Sequence, residues 1–376
     1  MYPPPAGQGL TDEQAQQLDD TFLAGDPFAY FSSRIASLLI WHDNAPTEGS
    51  LPQPEPGSIR AEFDEYLQRP AVAGPFQGVD VHAQVAAEAL AVRHHAAESL
   101  LRLACARLAP TNSVGSKSLW AEVAAGPRQV TEVIKNLKSR AQEADWSDRL
   151  FEALVESEHR EAARHSAVLL DACKLLSEWL GYAAELLRPA EIDSLAGHNK
   201  VKHGFAVRAR SDMRVMIMAK PPGEDGSIPL SAVTGPDAVT LFDQPVLELL
   251  DKPRIDGHTQ GLELTQVHLK PAELLAEAYM LAMAHGMIYR VASVEHFAGR
   301  DDLDEHQGPP QQPGYQAIGP RPMDIVDPQA FLGIRLPLTM PPGGQQPRPA
   351  GFGFRHLFQT FTLKWEDRMK GHVVDD

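Results

Sequence analysis

Cysteine is almost missing from this chain of 376 residues: only Cys105 and Cys173 occur, and no Cys-x-x-Cys pair is formed. That rules out a disulfide framework, and both thiols fall within apolar helical patterns, where reduced, buried cysteines are expected. Long apolar runs are missing as well. No uninterrupted stretch approaches the roughly 18 residues that span a bilayer, so no membrane partner is expected. The opening Met1-Tyr2-Pro3-Pro4-Pro5 carries neither a basic head nor an apolar signal core, so a cytoplasmic protein is expected. No Walker A loop and no dinucleotide Gly-x-Gly-x-x-Gly appear, which argues against an NTPase or an NAD-dependent enzyme of the usual kinds. No Gly-x-Ser-x-Gly elbow and no internal repeat are seen. No cofactor is implied.

What is present is an ordinary globular composition, 43% hydrophobic and 22% charged, with enough apolar material for a sizeable core. The formal charge is −16. Such a surface repels phosphates at long range, so nucleic acid could bind only through a local basic patch.

The pattern along the chain predicts a mainly α protein, an antiparallel helical bundle with a smaller α+β region appended. Residues 1–10 read as disordered. Thr11-Asp12-Glu13-Gln14 is a capping box that opens a helix to about Leu23. Asp26-Pro27 opens a second, with Phe28, Phe31, Ile35, Leu38 and Leu39 as its apolar side chains. These helices, the Pro-rich linker 43–57 and a short amphipathic helix from Ser58 to Leu67 make an N-terminal region, 11–70. A bundle is expected over 80–204: a helix capped by Asp80, a second from Arg128 to about Ala144, and a third from Ser147 to Leu187 with a break near Glu158–Ala162. Strands are expected at Phe205–Val207, Arg214–Met218, Val239–Phe242 and Leu262–Leu269, separated by turns such as Pro221-Pro222-Gly223 and followed by a helix from Pro271 to Phe297, giving a 205–298 region. Residues 299–322 read as a linker, and 323–376 as an extension with segments at Phe331–Leu338 and Phe352–Trp365.

One segment departs from the acidic background. Between His198 and Lys220 there are six Lys or Arg against Asp212 alone, a local charge of +5, so the rest carries about −21. The candidate site residues are His198, Asn199 and His203 for catalysis, with Lys200, Lys202, Arg208 and Arg210 for phosphate. A histidine can move a proton near neutral pH, and adjacent cations can hold a phosphate and stabilise developing charge. That set could cleave RNA without a metal, one imidazole acting as base on the 2′-hydroxyl. Gly204 would allow a sharp bend. The same segment could instead pair with carboxylates of its own chain or dock an acidic protein partner, and both histidines could simply bond within a helix–strand junction.

Long helices ending in His198-Asn199-x-x-x-His203 resemble the HEPN superfamily, over residues 80–210 at most. The resemblance implies a helical bundle, a homodimer with the motif at a shared cleft, and metal-independent RNA cleavage in a defence or toxin–antitoxin setting. The family motif is Arg-x4–6-His with a polar residue after the Arg. Asn199 and His203 match it, while His198 stands where the family has arginine. Arg160 to His165 and Arg290 to His296 also fit the spacing; the first reads as a solvated helical face and the second as cations at a helix C-terminus. A metal-dependent enzyme is a third reading, from Arg93-His94-His95 with Glu98 on one helix and Glu156 with His159 on another. His285 and His296, eleven residues apart on the late helix, read as core or rim residues.

Overall fold

The computed structural model describes residues 9–43, 55–66, 80–108, 118–190, 192, 194–203, 207–218, 238–243, 245–255, 258–303, 308–311, 313, 319–328 and 330–355. The expected disorder at 1–8, most of the linker at 43–57, Gly204, Phe205, the turn at 221–223, Lys220 and the end of the last segment lie outside these residues.

The fold is mainly α with an appended α+β region. The capping box forms as expected: Thr11 Oγ1 accepts from Gln14 N at 3.2 Å and Gln14 Oε1 accepts from Thr11 N at 3.1 Å, opening α1 (Asp12–Leu23). Asp26 Oδ1 accepts from Ala29 N at the head of α2 (Pro27–Asp43). The short α3 (Ile59–Tyr66) follows. Asp80 caps α4 (Val81–Arg107), whose 27 residues contain no Gly or Pro to stop them. Then come α5 (Leu119–Ala125), absent from the sequence expectation, and α6 (Val130–Arg140).

The expected break in the third long helix is real and wider than predicted. The chain forms α7 (Trp146–Leu154), a 3-10 turn at Ser157–His159, α8 (Arg160–Arg164) and α9 (Ala167–Leu186). Two features fix it. Arg160 donates to the carbonyls of Glu152 and Val155, at 2.8 and 3.1 Å, closing α7. Ser166 then caps a new helix through Leu169 N. After Pro189 comes α10 (Ser194–His203), a ten-residue helix where a junction was expected.

The strands follow: β1 (Val207–Arg210), β2 (Arg214–Met218), β3 (Ala238–Asp243), β4 (Val246–Asp251), β5 (Arg254–Ile255), β6 (His258–Thr259) and β7 (Glu263–His268). Next are α11 (Pro271–Phe297), α12 (Pro322–Ile325), β8 (Phe331–Pro337) and β9 (Gly351–Phe354). The main sheet has the order β1-β4-β7-β8-β9, antiparallel throughout, with β2–β3 and β5–β6 as separate two-stranded pairs.

The core is built on α4 and α11, which are apolar on nearly every side and packed together. Helices with no polar face must be covered all round, and α1, α2, α7 and α9 provide cover. α2 runs antiparallel to α4, since Phe31 meets His95 and His42 meets His82. The central pair instead runs parallel: Arg93 pairs with Glu277, and Arg107 with Glu295. Arg160 pairs with Glu295 and Tyr182 with Glu277, so the segment through α9 runs the opposite way and returns the chain to the end where α11 begins. α11, which follows the strands in sequence, therefore belongs to the bundle's centre. The sheet closes the core through Leu247, Leu249 and Val267.

Candidate functional site

α10 carries most of the candidate residues and is held against both the bundle and the sheet. At Gly197 the approach is close: a Cβ there would touch Leu247 and Leu249 at 3.4 and 3.5 Å. His198, next along, is buried and stacks on His94 of α4 with ring centroids 5.1 Å apart and planes 9° from parallel. His94 Nδ1 lies 2.9 Å from Leu90 O and its Nε2 3.3 Å from Ser194 Oγ. His198 Nδ1 is buried without a hydrogen-bond partner. Burial, reinforced by nearby Lys202, pushes the His198 imidazole down to about 4. Burial drives His94 well below its ordinary range too. Both rings are neutral at pH 7.

His203 lies on another side of α10 and is exposed, as are Asn199 and Lys202. Five residues along a helix turn a side chain by about 140°, so His198 and His203 diverge. The structure does not bring these two imidazoles together as an acid–base pair. Asn199, Lys202 and His203 stand at i, i+3 and i+4 and share the exposed face.

The four phosphate candidates separate as well. Lys200 pairs with Asp251 at 3.1 Å. Arg210 is clamped by both oxygens of Asp212, at 2.7 and 2.9 Å, with Glu248 at 3.5 Å. Arg214 is paired with Asp243 at 2.8 Å. Much of the local +5 charge is thus neutralised by the chain's own carboxylates. Strand alternation also divides the set. Val207 and Ala209 pack on the core, so Arg208 and Arg210 point to the opposite face of β1, away from α10. Among the described residues no carboxylate forms an ion pair with Lys202 or Arg208.

The metal reading fares differently at its two places. On α4 the ligand types scatter: Arg93 turns to Glu277, His94 is buried, His95 is exposed, and Glu98 pairs with Arg102 at 2.7 Å. Glu156, Glu158 and His159 do bring three ligand-type atoms within 4.8 Å of one another. There Arg290 already supplies Glu156 with positive charge at 3.0 Å. Both look-alike motifs are engaged by carboxylates: Arg160 pairs with Glu295, and His296 Nε2 lies 2.7 Å from Asp20 Oδ1.

Two polar arrangements escaped sequence reasoning because their members are far apart in the chain. At the bundle–sheet junction Glu277 of α11 accepts from Arg93 at 2.9 Å, from Arg355 after β9 at 2.8 Å, and from Tyr182 of α9. Arg355 also bonds Glu273. Burial opposes the charge on Glu277, but Arg93 and Arg355 outweigh it and hold the carboxyl below its ordinary value. The cluster is buried and mutually satisfied, which fits a structural tie. The second lies beside an open groove of about 810 Å³, lined by Asp12, Asp19, His296, Arg300 and Asp302 among others. Arg300 binds both Asp20 and Asp302, and the Arg300 hydrogen bond lowers the Asp20 pKa. These bonds fasten α1 to the end of α11.

Comparison with models of known protein families, with curated proteins and with solved structures finds no match. Among the described residues, no helix is long and apolar enough to cross a membrane.

Proposed function

We propose that this chain acts on RNA through the exposed face of α10, with metal-independent cleavage of the phosphodiester as the reaction. The observation that carries the reading is the common exposure of Asn199, Lys202 and His203 at helical i, i+3, i+4 spacing. Here Lys202 takes the phosphate-binding part that the HEPN motif gives to arginine. His203 removes the proton of a 2′-hydroxyl, the freed oxygen attacks the adjacent phosphorus, and the 5′-oxygen leaves with a proton from solvent. Asn199 donates a hydrogen bond to a phosphate oxygen. His198 has no part in proton transfer in this scheme, because it is buried and neutral.

The test is incubation of the full chain with total RNA in chelator. Cleavage by the wild type that is lost in His203→Ala and kept in His198→Gln is expected. Equal cleavage by His203→Ala, or none by the wild type, would sink the nuclease. A second reading is docking of an acidic protein on the same face; the pairing of Lys200, Arg210 and Arg214 with the chain's own carboxylates leaves few cations for either partner. Salt dependence of RNA binding separates the two. Loss of Lys202 should reduce the slope of log K against log salt by about 0.7 if it contacts single-stranded phosphate.

A further inference from the structure

Between α7 (Trp146–Leu154) and α8 (Arg160–Arg164) the backbone leaves the helix at Val155 and Glu156, with ψ of 124° and 141°. Glu156 is turned inward there, its side chain 4% exposed, while Glu158 and His159 of the following 3-10 turn stay at 71% and 48%. A buried carboxylate is costly unless it is paired, and the two oxygens of Glu156 face different groups. Oε1 accepts from Arg290 Nε at 3.0 Å, and Arg290 is itself held by Pro310 O at 2.6 Å. Oε2 lies 3.4 Å from His159 Nδ1. On the other side of the same ring, Glu158 Oε1 lies 3.7 Å from Nε2. One ligand-type atom from each of Glu156, Glu158 and His159 is within 4.8 Å of the other two.

We infer that Glu156, Glu158 and His159 bind a divalent transition metal of the zinc class. The donor set selects the class. One imidazole with two carboxylates suits Zn²⁺ and its neighbours, whereas Ca²⁺ takes about six to eight oxygens and Mg²⁺ an octahedron of them. Distance agrees. Ligands about 2.1 Å from a tetrahedral Zn²⁺ stand about 3.4 Å from one another, and Glu156 Oε2 and His159 Nδ1 are 3.4 Å apart. Glu158 is on the surface, so a change of rotamer brings its carboxylate the remaining distance of about 1 Å. Three protein ligands leave a coordination position for water.

Arg290 is no obstacle to the ion. It takes the oxygen turned away from His159 and fixes the carboxylate, as outer-shell donors do for ligating carboxylates. Two carboxylates and one guanidinium leave the cluster negative before a cation enters. Arg160, the next cation along the chain, is spent on Glu295 and on the carbonyls of Glu152 and Val155. All three ligands come from Glu156-Ser157-Glu158-His159, so a bound ion orders a single turn and clips the break between α7 and α8. The inference does not depend on the chemistry proposed for α10: the RNA assay is run in chelator, so cleavage there neither needs nor reports this site.

The test uses the full chain, stripped by chelator and exchanged into chelator-free buffer, with Zn²⁺ alone as the probe. Titration calorimetry should show one equivalent bound with Kd below about 10 μM. His159→Ala and Glu158→Gln change exposed side chains, so both should keep the helical circular dichroism of the wild type while binding Zn²⁺ at least about tenfold more weakly. His165→Ala is the control: His165 is 78% exposed and faces one carboxylate, Glu161, at 3.4 Å, and its loss should leave binding unchanged. Zn²⁺ at about 100 μM should raise the wild-type Tm by roughly 2 °C and leave that of His159→Ala where it was. Hydrogen exchange across residues 156–164 should slow on addition of Zn²⁺ in the wild type alone. Absence of a saturable site below about 100 μM overturns the inference. So does binding that survives His159→Ala or Glu158→Gln, or that His165→Ala weakens as much. Displacement of the bound Zn²⁺ by about 1 mM Mg²⁺ would overturn the class of metal.

Discussion

Acid should unfold this protein through its buried histidines, and His285 isolates the effect. It lies on α11, is buried, and its Nδ1 has no hydrogen-bond partner. Phe31 and Tyr289 are its ring neighbours, at 6.2 and 6.3 Å. Burial pushes its pKa from 6.5 down to about 4. The direction of the pH effect follows from proton counting. Below pH 6.5 the unfolded chain binds a proton that the folded chain refuses, so stability falls as pH drops and levels off below about 4. A shift of that size corresponds to about 3 kcal/mol in full, of which about 2 kcal/mol is lost between pH 7 and 5. That is a large part of the ~5–15 kcal/mol holding a typical domain folded. His285→Leu keeps a similar volume and removes the titrating group. Urea unfolding of both proteins at pH 7 and pH 5 gives the comparison, with the variant expected to lose about 2 kcal/mol less on acidification. Equal losses in the two proteins would refute the reasoning, because they would mean that the folded state protonates His285 as readily as the unfolded chain. His198 is shifted to the same value, so His198→Leu should behave alike and His285→Leu/His198→Leu should add.

Glu277→Leu should cost about 3–5 kcal/mol in urea unfolding, because it leaves the buried Arg93 guanidinium without its carboxylate and removes one of the two that Arg355 bonds. Asp19→Ala should cost about 2 kcal/mol: its carboxylate accepts from Ser118 Oγ, Leu119 N and Trp120 N at 2.7, 2.9 and 3.0 Å, and a cap of this kind sits at the upper end of the measured range. Cys173, whose thiol burial raises to about 12, should not react with a thiol reagent in the native state at pH 8. Rapid labelling without denaturant would contradict its burial.

Much of the helical architecture was legible because it is written locally. The caps Thr11, Asp26 and Asp80 sit where the sequence places them, since an N-cap needs only its own first turn. β2 and β7 fall within a residue of expectation. β4 was overlooked although it lies between β1 and β7 in the sheet. Its run Val246-Leu247-Glu248-Leu249-Leu250 lacks clean alternation, because Leu250 is exposed beside the outward Glu248. The parallel sense of α4 and α11 was illegible, since it depends on the path taken by the chain between residues 107 and 271. The candidate site was half legible. A count of charges between 198 and 220 finds the basic run but not its partners. Asp251, Glu248 and Asp243 come from later strands.

The same contrast explains why a change of composition at residue 204 is not a break in the core. Leu90 of α4 and Leu247 and Leu249 of β4 all lie near Gly197 of α10. Side chains from both sides of residue 204 belong to one continuous cluster. Arg355, after the last described strand, reaches back to Glu273 and Glu277 in the bundle. Moving the sheet off the bundle would uncover Leu247 and Leu249 and part Arg355 from Glu273 and Glu277 at once. At about 25 cal/mol per Å² for apolar area, and several kcal/mol for an unpaired buried ion, that separation costs more than local opening supplies. α10 is therefore a fixed element between two halves of one core. Its outward residues, Asn199, Lys202 and His203, are displayed on rigid backbone, while His198 is spent on the packing that makes it rigid.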